Sequence, residues 1–303
     1  MNQFLGHQPI VKYFDQAWKM GKLNHAYLFV GATGVGKKRM VNYLASKILA
    51  VEENKLASHP DWLVLSPEID EKTGKTKKDI SIEQVRNCEK FIYQFSFLGG
   101  YKIVLIDPAE KMSLSASNAL LKTLEEPKQK TIIFLLVADE RRVPMTIRSR
   151  CQTIYFSPWP LSQIRTLLET QGVEKSEVEK MALLSCGLPG KVEEWLDDND
   201  AYQNYQKEIK RFTTLYNRPF YDKLKQVEDL FGDKTDHIAA REKLTAVLGV
   251  WQLALRTMVM TADNQLLKTN SIAIYEAIEI ARRRLAENIH PRILVEEILL
   301  AMP

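Results

Sequence analysis

Cysteine is scarce in this 303-residue sequence, which contains Cys88, Cys151 and Cys186 and no others. The three lie far apart and none belongs to a CxxC pair. This spacing excludes a disulfide framework and a zinc knuckle, and it indicates a reducing compartment.

Long apolar runs are also absent, since the longest covers residues 132–138. That length is far below the roughly 20 residues that a membrane-spanning helix needs. The first residues, MNQFLGHQPIVKYF, lack the basic and apolar regions of a signal peptide. We therefore expect a cytoplasmic protein without a membrane segment.

A strong excess of one charge is missing too. The 42 basic and 38 acidic side chains give a net charge of +4. A protein that coats DNA usually has a larger basic excess or a tight basic patch. The cluster Arg282-Arg283-Arg284 favours a solvated helix face, because consecutive helical residues point in different directions. Any DNA contact is therefore expected to be shared with partner proteins.

Short apolar runs alternate with amphipathic stretches in the first half of the chain. Continuously apolar runs of this length are typical of strands buried on both faces. The pattern predicts an α/β domain with a parallel sheet, helices on both faces, and an end near Phe156. The predicted strands are 26–30, 62–65, 103–106, 132–137 and 153–156, and the predicted helices are 38–50, 82–95 and 115–124.

Strand patterns stop after Phe156, where Pro158 and Pro160 interrupt the chain. The rest of the sequence predicts a small helical domain, broken at 187–190, and then longer amphipathic helices. The last helix follows Pro291, a residue that suits a first helical turn. The main predicted helices are 161–171, 175–184, 190–197, 241–261 and 271–287.

Residues 31–38 read GATGVGKK, which is a GxxxxGK phosphate loop between a predicted strand and a predicted helix. Gly31, Gly34 and Gly36 would let backbone N–H groups surround a phosphate, and Lys37 would reach the terminal phosphates. The next position normally carries Ser or Thr, whose hydroxyl binds magnesium. Lys38 stands there instead, and an ammonium group cannot ligate a cation.

The third predicted strand ends at Asp107, which has the position of a Walker B carboxylate. An active ATPase of this type carries a glutamate next, to activate the attacking water. Pro108 occupies that position, and Glu110 lies two residues beyond it, out of register with the motif. A second part of the hydrolysis apparatus is therefore defective.

Residues 117–127 read SNALLKTLEEP, and the tripeptide SRC follows at 149–151 after a predicted strand. With the phosphate loop, these motifs resemble the AAA+ subunits of the bacterial DNA clamp loader. The resemblance implies an AAA+ core over 1–157, a small helical lid over 158–205 and an all-α collar domain over 206–303 for oligomerisation. In the collar, candidates for contacts between subunits, or equally for an ordinary core, are Trp251, Leu255, Ile293, Leu294 and Ile298.

In this family the arginine of SRC is an arginine finger, which touches the phosphate of ATP bound by a neighbouring subunit. By resemblance that residue is Arg150, a planar and permanently charged group able to stabilise phosphoryl charge. Residues that sense a subunit's own nucleotide are missing. Ala138, or Asp139 after a shift of one, stands at the first such position, and Gly190 stands at the second, with Lys191 out of register.

Many family members also carry a cysteine-rich zinc module after the first helix of the core. Here the segment 49–61 has no cysteine, and His59 is its only histidine. Because zinc needs about four nitrogen or sulfur ligands, we predict no metal.

An intact finger beside a defective nucleotide site predicts a non-hydrolysing subunit, a stator, that supplies Arg150 to a neighbour during loading of the sliding clamp onto primed DNA. The expected partners are the gamma/tau and delta clamp-loader subunits, with clamp and DNA reached through the complex. No cofactor is required, although weak residual ATP or ADP binding fits the loop. The alternatives are a divergent but active ATPase, in which Lys37 and Glu110 suffice, and a non-replicative adaptor.

Overall fold

The computed structural model describes residues 5–69, 74, 76–97, 100–127, 130–231, 237–261, 265–285 and 289–303. The chain forms two compact units. The first contains Met1–Gly172 and Gly187–Gly190, and the second contains Val173–Cys186 and Lys191–Pro303. The finer division at 157/158 and 205/206 stays a prediction.

The first unit is built on a five-stranded sheet in the order β2-β3-β4-β1-β5, in which every neighbouring pair is parallel. Because β1 lies between β4 and β5, and β3 lies beside β4, the carboxyl ends of β1, β3 and β4 meet at one edge. In parallel α/β sheets this edge is where ligands bind. The strands are β1 (Ala26–Val30), β2 (Trp62–Leu65), β3 (Lys102–Ile106), β4 (Thr131–Val137) and β5 (Gln152–Tyr155).

Helices cover both faces of this sheet, as predicted. On one face Phe14 packs its ring against Tyr27, Phe29 and Phe134. On the other face, the alternate residues of β1 join a buried cluster with three further helices. The helices of this unit are α1 (Gln8–Lys19), α2 (Lys37–Leu49), α3 (Ile82–Tyr93), α4 (Leu114–Glu125), α5 (Met145–Arg148) and α6 (Leu161–Thr170).

The second unit contains helices and no strand among its described residues. α9, α11, α12 and α13 enclose a core around Trp251, which is fully buried. The helices are α7 (Lys175–Ser185), α8 (Pro189–Asp197, which begins in the first unit), α9 (Asn199–Leu215), α10 (Phe220–Val227), α11 (His237–Thr261), α12 (Gln265–Leu285) and α13 (Pro291–Ala301).

The predicted elements agree with the structure within a few residues, except at two helix starts. α11 begins four residues and α12 six residues before the predicted positions, and the predicted end of α12 at Glu287 lies outside the described residues. The short helices α1 and α5 were not predicted. No helix in the described ranges has an apolar stretch long enough to cross a membrane.

Two arginines of the cluster on α12 each form an ion pair with a glutamate. Arg282 donates to Gln252 (2.6 Å) and lies 3.4 Å from Glu279, while Arg284 lies 3.7 Å from Glu297. Two of the three arginines are therefore paired along a solvated helix, in agreement with the expectation from the sequence.

Candidate functional site

The loop that connects β1 to α2 requires glycine at three positions. A Cβ atom on Gly31 would lie 2.6 Å from the carbonyl oxygen of Phe156, so no side chain fits there. Gly34 and Gly36 have φ values of 81° and 105°, in the left-handed region that glycine adopts without strain. The backbone therefore follows the path that the phosphate-loop motif predicts, and it ends at the N-terminus of α2.

Lys37 is buried and directs its ammonium group back into the loop. Its Nζ atom donates to the carbonyl oxygens of Gly31 and Ala32, the second at 3.1 Å. Burial lowers the pKa of Lys37, and the nearby carboxylates of Glu110 and Asp107 oppose part of that shift. To reach a phosphate, this ammonium group has to leave the bonds that it makes within its own loop.

Lys38 and Asp107 face each other across the edge of the sheet. Lys38 Nζ lies 4.0 Å from Asp107 Oδ2, and its side chain is 63% exposed. Burial raises the pKa of Asp107, while the positive charges of Lys38 and Lys37 oppose the shift. An ammonium group therefore stands beside the carboxylate that would hold a metal ion. Among the described residues, no cluster of three or more histidine, cysteine, aspartate or glutamate side chains has metal-binding geometry.

Glu110 lies closer to this site than its place in the sequence suggests. Pro108 precedes a short 3-10 helix (Ala109–Lys111), which turns the Glu110 carboxylate so that Oε1 accepts from the N–H of Ala138 at 3.0 Å. Its charge acts on both Lys37 and Asp107. The tertiary structure thus brings together four charged groups, two positive and two negative.

The two residues considered for sensing nucleotide are occupied elsewhere. Asp139 pairs with Arg141 at 2.8 Å, and these hydrogen bonds lower the pKa of Asp139 to about 2. Lys191, in the second unit, places its ammonium group 4.3 Å from the centre of the Tyr205 ring. Burial lowers the pKa of Lys191.

The segment Gly187–Gly190 contacts the phosphate loop directly. The N–H of Gly190 donates to the carbonyl oxygen of Gly34 at 2.8 Å, and a Cβ atom on Gly190 would lie 2.9 Å from Gly34 Cα. The carbonyl oxygen of Gly187 accepts from the N–H of Trp159 at 2.8 Å. The sequence marked this segment as a break between helices and placed Gly190 at a position for sensing nucleotide. Its glycines gave the signal, but the contact itself needed the tertiary structure.

His7 is a further residue at the loop that the sequence did not identify. Its Nε2 atom lies 2.9 Å from the carbonyl oxygen of Val35, and Trp159 donates to the same nitrogen at 3.0 Å. One nitrogen cannot donate to Val35 and accept from Trp159 together, so the tautomer decides which bond forms. Burial lowers the pKa of His7.

Arg150 lies in the turn that follows α5, at a distance in sequence from the phosphate loop. Its Nη1 atom donates to the carbonyl oxygen of Thr146 at 2.8 Å, and Nη2 donates to Glu125 Oε1 at 2.6 Å. The arginine side chain is 34% exposed and Glu125 is 50% exposed. The guanidinium group is thus at the surface and accessible from outside the chain, while it is held by its own chain.

A family profile described as DNA polymerase III, delta subunit, matches residues 6–160, just over half of the chain. The chain is 35% identical to the DNA polymerase III delta-prime subunit of Pseudomonas aeruginosa over 54% of its own length, a match that spans 53% of that relative. It is 26% identical to the delta-prime subunit of Bacillus subtilis over 97% of this chain and 96% of the relative.

A solved structure with a similar fold is a DNA polymerase III gamma subunit-related protein from Thermotoga maritima. The TM-score is 0.53 at 18% identity, and the alignment covers 95% of this chain and 97% of the other. This likeness shows the shared fold alone. It confirms the predicted α/β core, a parallel sheet with helices on both faces, followed by a helical remainder.

Proposed function

The chain belongs to the DNA polymerase III delta subunit family of clamp-loader proteins, and we propose that it acts there as a non-hydrolysing stator of delta-prime type. In this role it presents Arg150 to ATP bound by a neighbouring gamma/tau subunit. The observation that carries the proposal is a contrast between two sites. At the chain's own phosphate loop, Lys38 places a positive charge where magnesium would bind and Lys37 is bonded within the loop. Arg150, although paired with Glu125, keeps a guanidinium group that is reached from outside the chain.

The residues at this chain's own nucleotide site support the proposal that the chain does not hydrolyse ATP. Lys38 replaces the hydroxyl that would bind magnesium and sets its positive charge beside Asp107. Pro108 offers no base, and Lys37 is bonded within its loop. We infer that no cofactor is required and that Mg·ATP binds weakly at best, because an ammonium group repels a metal ion at this position.

The chemistry of Arg150 supports the role in a neighbour's site. The planar guanidinium group of an arginine carries a positive charge and offers paired donors that match phosphate oxygens. A positive charge placed where phosphoryl charge develops accelerates hydrolysis in related phosphate-transfer enzymes by about 10³–10⁵-fold.

Assembly is proposed to use exposed apolar residues of the second unit. Of the five candidates from the sequence, Trp251, Leu255, Leu294 and Ile298 belong to the unit's own core, which is one of the two roles that the sequence left open for them. Ile293 remains, 52% exposed. Other exposed apolar residues on α12 and α13 are Ile272, Tyr275, Ile280 and Leu300.

We propose gamma/tau and delta subunits as direct partners, with the sliding clamp and primed DNA reached through the complex. Cytoplasmic localisation is part of the same proposal, because the replication machinery of bacteria works there. The similarity to delta-prime subunits of DNA polymerase III supports these partners.

The first test is binding and hydrolysis of Mg·ATP by the isolated chain, with Lys38→Thr alongside. We expect no turnover by the wild type and higher magnesium-dependent affinity in the variant, because Thr supplies the hydroxyl ligand.

The second test is Arg150→Ala in the complete complex, where assembly should persist and ATP hydrolysis should fall by at least tenfold. Unchanged hydrolysis in that complex would refute the stator role.

One observation favours an active ATPase as the second candidate. The Glu110 carboxylate is turned into the site despite its position in the sequence. Turnover by the isolated chain that disappears in both Lys37→Ala and Glu110→Gln would establish this alternative.

A further inference from the structure

Both terminal nitrogens of Arg150 are occupied within its own chain. Nη2 donates to Glu125 Oε1 at 2.6 Å and Nη1 donates to the carbonyl oxygen of Thr146 at 2.8 Å. These are the two nitrogens with which an arginine binds a phosphate in paired fashion. A guanidinium group has five N–H donors, so these two bonds leave others, but they fix the direction in which the group points. To aim the same pair of nitrogens at a phosphate of another subunit, the group has to turn away from Glu125.

The backbones that carry this pair are fixed by the core. Glu125 ends α4, and the residue before it, Leu124, is buried in the same cluster as Ile147 of α5. The N–H of Arg150 donates to the carbonyl oxygen of Ile147 at 3.0 Å. Glu125 therefore stands at a set distance from Arg150, and only the side chains need to move for the pair to separate.

The ion pair between Arg150 and Glu125 is exposed, so a group from another molecule can reach it. With the two side chains 34% and 50% exposed, water screens their attraction, and pairs of this kind contribute little to stability. A phosphate group carries more negative charge than a carboxylate and accepts more bonds from a guanidinium group. A neighbour's phosphate can therefore displace Glu125.

We propose that Glu125 is a latch for Arg150. The carboxylate holds the guanidinium group against its own chain, and a phosphate in the neighbouring subunit must compete with Glu125 for it. Glu125 is thus a positioning residue that keeps hydrolysis low until the interface is fully formed. This inference rests on the proposed finger role of Arg150 for its consequence, and on the observed ion pair for its mechanism.

The latch can be tested in the isolated chain, independently of any activity. Phenylglyoxal modifies free guanidinium groups, and its reaction at Arg150 can be followed by mass spectrometry of the intact protein and its peptides. In Glu125→Gln we expect the rate at Arg150 to rise roughly two- to fivefold, the range that the strength of exposed ion pairs allows. Glu126→Gln removes the same charge one residue along, at an exposed position, and should leave the rate unchanged. Equal rates in the two variants would overturn the latch.

The consequence can be tested in the complete complex with gamma/tau and delta subunits. Glu125→Gln should raise ATP hydrolysis in the absence of clamp and DNA by roughly two- to fivefold, and it should leave the rate with both present unchanged. Glu126→Gln should behave as wild type. If Arg150→Ala lowers hydrolysis but Glu125→Gln does not raise the rate without clamp and DNA, the latch is refuted and the finger role stands. If Arg150→Ala has no effect, the finger role fails, and the phenylglyoxal rates alone decide whether Glu125 holds Arg150.

Discussion

The contact between Gly190 and Gly34 accounts for the glycine at position 190. The two backbones approach so closely that a hydrogen bond forms between them and no Cβ atom fits on Gly190. A side chain there would have to push the segment away from the phosphate loop. The phosphate loop is thus in direct contact with the backbone of residue 190 of the same chain.

Gly190→Ala should therefore destabilise the first unit. The added Cβ atom would lie 2.9 Å from Gly34 Cα, and such overpacking typically costs about 1–3 kcal/mol. Urea unfolding measures this decrease in the free energy of unfolding. Gly100→Ala, in the same unit and with no atom within 4 Å of its added Cβ, should leave the free energy of unfolding unchanged or slightly higher.

His7 should make the stability depend on pH. Burial lowers the pKa of His7 from its ordinary value of 6.5, so the unfolded chain takes up a proton at a higher pH than the folded chain does. The contribution of His7 is fully present above pH 6.5 and is lost as the pH falls through the lowered value. In His7→Asn, the free energy of unfolding should therefore decline less between pH 7.5 and pH 5 than in the wild type. A slope equal to that of the wild type would contradict the buried, neutral state of His7.

Between elements, a buried lysine joins α10 to the end of α13. The last carbonyl groups of a helix have no partner within it. Lys223 on α10 supplies one, because its Nζ atom donates to the carbonyl oxygens of Met302 (2.9 Å) and Pro303 (2.7 Å). The lysine is 3% exposed, and burial lowers its pKa. A charged residue in the core is here a helix cap.

Lys223→Met keeps the length of the side chain and removes all three donors. The buried carbonyl group of Met302 then loses this donor, which costs about 1–3 kcal/mol. The oxygen of Pro303 keeps its bond from the N–H of Asn217 at 3.1 Å. Thermal unfolding of the full chain should detect the loss. Lys225→Met on the same helix, where the side chain is exposed, should change the free energy of unfolding by less than about 0.5 kcal/mol.

For the whole molecule, both units leave large apolar side chains at the surface, among them Phe95 and Met145 in the first unit. The first unit carries the phosphate loop, Arg150 and Glu125, all of them polar or charged features. The second unit encloses its own core and still exposes Ile293 and Leu300, seven residues apart on one face of α13. Such residues indicate a surface for other proteins when they lie together.

The double variant Ile293→Glu with Leu300→Glu should therefore impair assembly and leave the isolated chain folded. Both side chains are more than half exposed, so the melting temperature should change little. Burying each in an interface contributes about 1.5–3 kcal/mol, and the affinity for the gamma/tau and delta subunits should fall at least tenfold. Met20→Glu, exposed in the first unit, is the control. Normal assembly of the double variant would exclude α13 from the interface.

The sequence by itself determined the α/β core and its parallel sheet. Buried strands such as β1 and β4 are continuous apolar runs because both of their faces are covered, and that pattern is local. The order of glycines and lysines at 31–38 is local in the same way. Helix starts were predicted less well, since the beginnings of α11 and α12 lack a clear apolar period.

Only the tertiary structure decided which groups meet. The pairs Lys38 with Asp107, Gly190 with Gly34, and Glu125 with Arg150 join residues that are far apart in the chain. It also decided that Trp251 and Leu294 are core, because an apolar helix face looks the same in sequence whether its own chain or a partner covers it. The physical reason is the same for the paired residues and for the core residues. A local sequence pattern shows which face of an element is buried, whereas the packing of the whole chain determines which residues lie against that face.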